Sequence, residues 1–238
     1  MEEVAQIWVY LAESPLLWLT ATLIAYAIGD AAFRASGRMP LVNPVLIAMV
    51  LLSALLLATD TDYGTYFEGA QFVHFLLGPA TVALAFPLYA NRAHIARSAL
   101  PMAGALVAGS LTAILSALAI GWALGLRAES LLSLAPHSAT SPIAIGVAEV
   151  IGAIPSLTAA LVILTGIVGA VVVTPLFDAM GIRDYRARGF AAGVAASGIG
   201  TARAFQVDPT AGAFAGIGMG LNALFTAMAV PALVTWLF

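Results

Sequence analysis

Seven long apolar runs constrain this chain more than any other feature. They occupy residues 16–33, 43–58, 66–90, 99–126, 155–177, 187–205 and 211–237. A hydrocarbon core of ~30 Å takes about 20 residues of helix to cross, so runs of this length read as membrane spans. Inside lipid every backbone N–H and C=O needs a partner within the protein, and continuously apolar segments meet that need as α-helices. Hydrophobic residues make up 62% of the chain and charged residues 9%, with a mean hydropathy of +1.02. A soluble domain is nearer one quarter charged. The expected fold is therefore an all-α polytopic membrane protein, read as one transmembrane domain over residues 1–238, because no polar stretch is long enough for a separate soluble domain. The start, Met1-Glu2-Glu3-Val4, lacks the basic opening of a signal peptide. Cysteine and lysine are both absent, so all nine basic residues are arginines.

An eighth apolar stretch, 131–151, is interrupted by Pro136 and Pro142 around the polar run Pro136-His-Ser-Ala-Thr-Ser-Pro142. Loop arginines set its topology. Arg34 and Arg38 follow the first run, Arg92 and Arg97 follow the third, and Arg183, Arg186 and Arg188 precede the sixth. These clusters share one side if 131–151 re-enters and leaves by the same face. The positive-inside rule then gives seven crossings, the N-terminus outside and the C-terminus cytoplasmic.

That orientation sets two three-span groups in opposite senses, a first repeat at about 43–126 and a second at about 155–238, with the re-entrant segment at about 131–152 between them. Their middle members carry similar breaks, Gly78-Pro-Ala-Thr and Gly198-Ile-Gly-Thr. Opposed repeats with matched helix breaks mark inverted-repeat transporters, whose sites lie at the bilayer midplane. An elevator-like movement of one bundle against the other fits this architecture. Pro79 suits the first position of a half-helix, with Gly78 supplying the turn. Pro142 fits the same logic, with Ser141 as its N-cap. Helix starts of this kind attract anions.

The candidate site residues follow from that reading. Arg203 offers a bidentate fork to a carboxylate. Its rival roles are an ion pair with Glu149 or snorkelling toward the segment end near Asp208. Gly200 and Thr201 accompany it at one break, and Gly78, Pro79 and Thr81 at the other. Ser138, Thr140 and Ser141 bring hydroxyls to the start of the re-entrant half-helix, where plain capping is the competing role. Asn222 lies near the middle of the last run and either bonds substrate or ties helices together. Glu149 sits in an apolar stretch, and a buried carboxylate favours its neutral form and can carry a proton; an interfacial glutamate at the helix end is the competing role. His137 is the other proton-coupling candidate, since an imidazole exchanges protons near neutral pH. The small-residue ladders Gly189/Gly193/Ser197 and Gly212/Gly216/Gly220 read as helix packing faces.

Several motifs resemble one family. The runs Leu76-Leu-Gly-Pro-Ala-Thr-Val-Ala-Leu-Ala-Phe-Pro-Leu-Tyr89, Thr140-Ser-Pro-Ile-Ala144, Ile151-Gly-Ala-Ile-Pro-Ser-Leu-Thr158, Gly198-Ile-Gly-Thr-Ala-Arg203 and Gly218-Met-Gly-Leu-Asn222 are similar, in order, to the LrgB/CidB membrane proteins. The resemblance covers roughly residues 70–238. It implies either of two functions. Members were described as holin- and antiholin-like, modulating murein hydrolase activity and autolysis in bacteria. Plastid members, fused to a LrgA-like half, export glycolate and glycerate, and some bacterial members with a LrgA-type partner take up pyruvate. The expected function is thus secondary transport of small monocarboxylates, possible proton coupling included, with holin- or antiholin-like control of murein hydrolase export as the alternative. The expected setting is the bacterial cytoplasmic (inner) membrane. The expected partners are a small carboxylate, the lipid bilayer, a second copy as a homodimer, and a separate LrgA-like protein, since this chain has no LrgA-like half. Nucleic acid, cofactor and metal are not expected: His74, His94 and His137 are scattered and no cysteine joins them. Enzyme activity is not expected either. Ala195-Ala-Ser-Gly198 lacks the first glycine of a GxSG motif, and Ala27-Ile-Gly-Asp30 lacks that of GxGD.

Overall fold

In the computed structural model the described residues are 14–39, 41–76 and 98–237, with isolated positions between 77 and 97. All regular structure among them is helical: α1 (Pro15–Ala35), α2 (Pro44–Thr59), α3 (Tyr63–Phe75), α4 (Ala99–Ala123), α5 (Ala128–Leu134), α6 (Ser141–Val150), α7 (Pro155–Ala179), α8 (Tyr185–Val207) and α9 (Pro209–Leu237). The chain forms two compact units, residues 1–80 and 81–238.

In the first unit, prolines and short polar caps start the helices. Pro15 and Pro44 occupy first-turn positions, where the missing N–H costs nothing. The Asn43 side chain accepts from the Val45 and Leu46 amides at 2.9 and 3.2 Å, and Asp62 accepts from Gly64 at 2.7 Å. The fully buried Trp18 anchors the unit, edge-on to Tyr66 with ring centroids 5.9 Å apart. Gly69 lets α3 approach α1 there, because a Cβ would strike the Pro15 carbonyl oxygen.

In the second unit, α4, α6 and α7 each end in a glycine with positive φ, Gly125, Gly152 and Gly181. Each lets the next amide bond back across the turn, as in Leu126 N to the Gly121 carbonyl at 3.1 Å. The core around α4, α5, α6 and α9 is Ile114, Leu118, Leu131, Ala135, Val147 and Val230. Helices α8 and α9 form a close hairpin started by Asp208, whose carboxylate accepts from the Thr210 and Ala211 amides at 2.7 and 3.1 Å. A Cβ at Gly189 or Gly193 would collide with the Ala211 or Ala215 carbonyl, so these two glycines set the approach. On α9 the contacting small residues include Ala211, Ala215 and Gly218, whereas Gly212 of the expected ladder lies against the Phe205 ring. Arg188 pins α8 to α7, donating to the Thr174 carbonyl at 3.0 Å and to Asp178 Oδ1 at 2.7 Å.

Four described helices are long and apolar enough to cross a membrane: Pro15–Ala35, Ala99–Ala123, Pro155–Ala179 and Pro209–Trp236. The expected run at 43–58 is a helix of 16 residues, ~24 Å long at 1.5 Å per residue. The run at 66–90 is described as helix only in its first part, within α3. Helices α5 and α6, of 7 and 10 residues, are each too short to cross alone, as expected of a broken segment.

Candidate functional site

The sequence Ala195-Ala-Ser-Gly-Ile-Gly200 breaks helix α8. Ser197 has φ 50° and ψ −137°, a backbone conformation that favours glycine and strains a serine. The break falls one residue before the glycine expected to carry it. Replacing Ser197 with glycine relieves that strain and is expected to raise stability by about 1 kcal/mol, after the entropy cost of the new glycine. Thermal unfolding in detergent measures it; a lowered midpoint would contradict the strain.

A break in a helix orphans carbonyls before it and amides after it. Two partners are visible. Thr201 Oγ1 donates to the Ser197 carbonyl at 2.8 Å. Asn222, fully buried on α9, donates through Nδ2 to the Val194 carbonyl at 3.0 Å. The same amide donates to the Ser138 carbonyl at 3.0 Å, and Asn222 Oδ1 accepts from Ser110 Oγ of α4 at 2.6 Å. Asn222 therefore ties α4, α8, α9 and the 135–140 loop at one buried point. Its helix-tying role is realised, and its amide is fully engaged.

The loop feeds α6. Thr140, rather than Ser141, is the N-cap, with Ser141 as the first helical residue and Pro142 in the first turn. The shift by one residue places Pro142 where its missing N–H is harmless. Thr140 makes no cap bond, and its buried hydroxyl has no hydrogen-bond partner. Burying an unpaired hydroxyl costs ~1–3 kcal/mol, so a ligand oxygen there would be stabilised. The first-turn amides of α6 and of the second half of α8 both begin beside the Asn222 junction. Free amides at helix starts carry partial positive charge and suit an anion. A groove of about 500 Å³ lies between α7 and α8, with His137, Ala195 and Ala196 in its lining. The His137 ring is half-buried, its Nδ1 2.7 Å from the Leu134 carbonyl.

Asn222 thus binds Ser138 directly; His137, Thr140 and Ser141 flank Ser138 in sequence, and Gly200 and Thr201 are buried on α8 just past the Ser197 break. Arg203 stands further along α8, six residues past Ser197, or ~9 Å along the axis. It is half-buried; Nη1 reaches Gln206 Oε1 at 3.4 Å, and Nε is buried without a partner. Among the described residues no ion pair joins it to Glu149. The expected burial of Glu149 is not found. It is exposed at the far end of α6, because Ala144, Val147 and Ala148 turn the opposite face inward. Gly78 and Thr81 lie outside the described residues, and Pro79 is a single exposed helical position. Sequence reasoning missed Ser110, although a serine in an otherwise apolar helix is the same kind of signal that singled out Asn222.

Comparison with known proteins places the chain among relatives along nearly its whole length. The LrgB-like family matches residues 22–236. The chain is 35% identical over 201 residues to the uncharacterized protein YxaC of Bacillus subtilis (strain 168), covering 84% of this chain and 86% of that protein. It is 27% identical over 219 residues to the holin-like protein CidB of Staphylococcus epidermidis (strain ATCC 12228), covering 92% and 95%. It is 28% identical over 218 residues to the antiholin-like protein LrgB of Bacillus cereus (strain B4264), again covering 92% and 95%. No solved structure matches the chain.

Proposed function

The chain belongs to the LrgB-like family, and on that premise we propose that it is a holin- or antiholin-like protein of the bacterial cytoplasmic membrane, controlling murein hydrolase export and autolysis. The names of the Staphylococcus and Bacillus relatives support this reading, which stood second to transport on the sequence alone. The integral membrane character is plain from the apolar helices and the family.

At the molecular level we infer selective carriage of small monocarboxylates rather than an open pore. The observation that supports it is the unpartnered, buried Thr140 hydroxyl at the start of α6, beside the broken α8. A wide pore has little use for such a constellation, whereas a carboxylate would complete it. In this reading Thr140, Ser141 and the helix-start amides hold the carboxylate. Thr201 and Gly200 shape the break, and Ser138 and Asn222 position the loop. In sequence, Gly78, Pro79 and Thr81 form the motif that corresponds to this break in the first of two inverted repeats, 43–126 and 155–238. Seven crossings, an elevator-like movement of one domain and a homodimer belong to the same proposal, as does a separate LrgA-like partner. Arg203 draws the anion toward the site, and His137 and Glu149 serve any coupled proton. The proposal contains no catalytic step and no cofactor.

Uptake of labelled pyruvate, lactate or glycolate into proteoliposomes tests the site. Thr140→Val, which keeps shape but removes the hydroxyl, is expected to raise KM about tenfold, as loss of one hydrogen bond to a charged group does. Arg203→Gln should reduce uptake with the fold intact. Unchanged KM in both variants would sink the assignment of these residues.

A further inference from the structure

A second groove, of about 530 Å³, runs between α4 and the first half of α8. It reaches the Asn222 junction at Val194 and shares Ala191 and Ala195 with the α7–α8 groove, but its polar end is unused by the proposed function. Its polarity is graded. Ser98, Asp184 and Arg186 stand at one end, and the remainder is apolar or glycine, down to Ala113. From Pro101 to Ala113 it follows twelve residues of α4, ~18 Å, close to the ~15 Å depth of one leaflet.

The polar end is also a cationic turn. Between Asp178 and Arg188 the sequence carries three arginines, at 183, 186 and 188, and two aspartates, at 178 and 184, a net +1; of these, Asp184 and Arg186 line the groove and Arg183 immediately precedes them. Asp184 is engaged with Arg186 at 2.8 Å and Asp178 with Arg188 at 2.7 Å. Arg183 is exposed, and among the described residues no ion pair engages it. The floor is Ala187, Ala191 and Ala195, short side chains that leave the groove open.

We propose that this groove seats one anionic phospholipid, with an acyl chain along α4 and α8 and its phosphate at Arg183 and Arg186. Charge complementarity at one end and one-leaflet apolar depth at the other match a lipid's own polarity. A second copy fits less well. A two-fold dimer in the membrane brings the same +1 turn of each copy to the same depth, where like charges repel. Basic pockets between membrane helices on the cytoplasmic side bind anionic head groups by the same physics.

Native mass spectrometry of the full chain, released from vesicles holding phosphatidylglycerol and phosphatidylcholine in equal amounts, tests this. Phosphatidylglycerol should be retained over phosphatidylcholine by about fivefold or more, the worth of one unpaired arginine near an anionic head group. The double variant R183Q/R186Q should lose that preference. Ala105→Phe, which fills the groove and leaves the arginines in place, should lower retention of both lipids. Equal retention of the two lipids by the unmodified chain would overturn the proposal, as would unchanged retention in Ala105→Phe. The cysteine-free chain allows one more check. Rapid disulfide formation between copies carrying Ala105→Cys would assign the groove to a second copy instead.

Discussion

Replacing Asn222 with alanine is expected to destabilise the second unit by about 2–4 kcal/mol. The substitution orphans the Ser138 and Val194 carbonyls and the Ser110 hydroxyl at once. Each buried orphan costs ~1–3 kcal/mol, which sets the upper part of the range. Hydrogen bonds inside membranes average only ~0.6 kcal/mol in pairwise measurements, because the separated groups find other partners, and that sets the lower part. Ser110→Ala removes one of these bonds and should cost no more than ~1 kcal/mol. Thermal unfolding in detergent micelles compares the two. An Asn222→Ala protein as stable as Ser110→Ala would show that the junction holds nothing together. Loss of the junction should also abolish carboxylate uptake, since the α6 start and the α8 break are placed through it.

Gly193→Val should be at least as damaging. Its Cβ would meet the Ala215 carbonyl oxygen, a backbone atom that no rotamer change can move aside. Helices α8 and α9 would have to separate along their length, a change expected to cost about 3 kcal/mol or more. Glycine by itself is not the cause. Gly104 and Gly146 have open space around their would-be Cβ atoms. Alanine at either should stabilise its helix by up to ~1 kcal/mol. Unfolding midpoints of Gly193→Val, Gly104→Ala and Gly146→Ala measure the contrast. A Gly193→Val protein with an undiminished midpoint would contradict the packing described for this hairpin.

The helices themselves were legible in the sequence, because uninterrupted apolar length is a strong signal in lipid. So was the break near Gly198, since Ser-Gly-Ile-Gly cannot hold a regular helix against its neighbours without cost. Asn222 was legible as a polar residue at span depth. Helix phase was not. Glu149 sits in a segment apolar almost all round, so no hydrophobic stripe marked which side turns outward, and its burial was misjudged. The N-cap shifted from Ser141 to Thr140 for a local reason, the place of Pro142, that adjacent hydroxyl residues cannot announce. Ser110 pairs with Asn222 across 112 positions, and nothing in a single sequence specifies such a long-range partner. Of the motif at 78–81, Pro79 alone is among the described residues.

Carriage of small carboxylates through a closed, discontinuous-helix site, as proposed for this LrgB-like chain, separates their entry from the passage of an unrelated solute. The most direct measurement traps a fluorescent dye in proteoliposomes of the purified protein and follows its release together with entry of labelled lactate in the same vesicles. Saturable lactate entry, competed by pyruvate or glycolate and without dye release, is the predicted result. Parallel, non-saturating passage of both molecules would contradict it and leave the open-pore form of the holin-like reading.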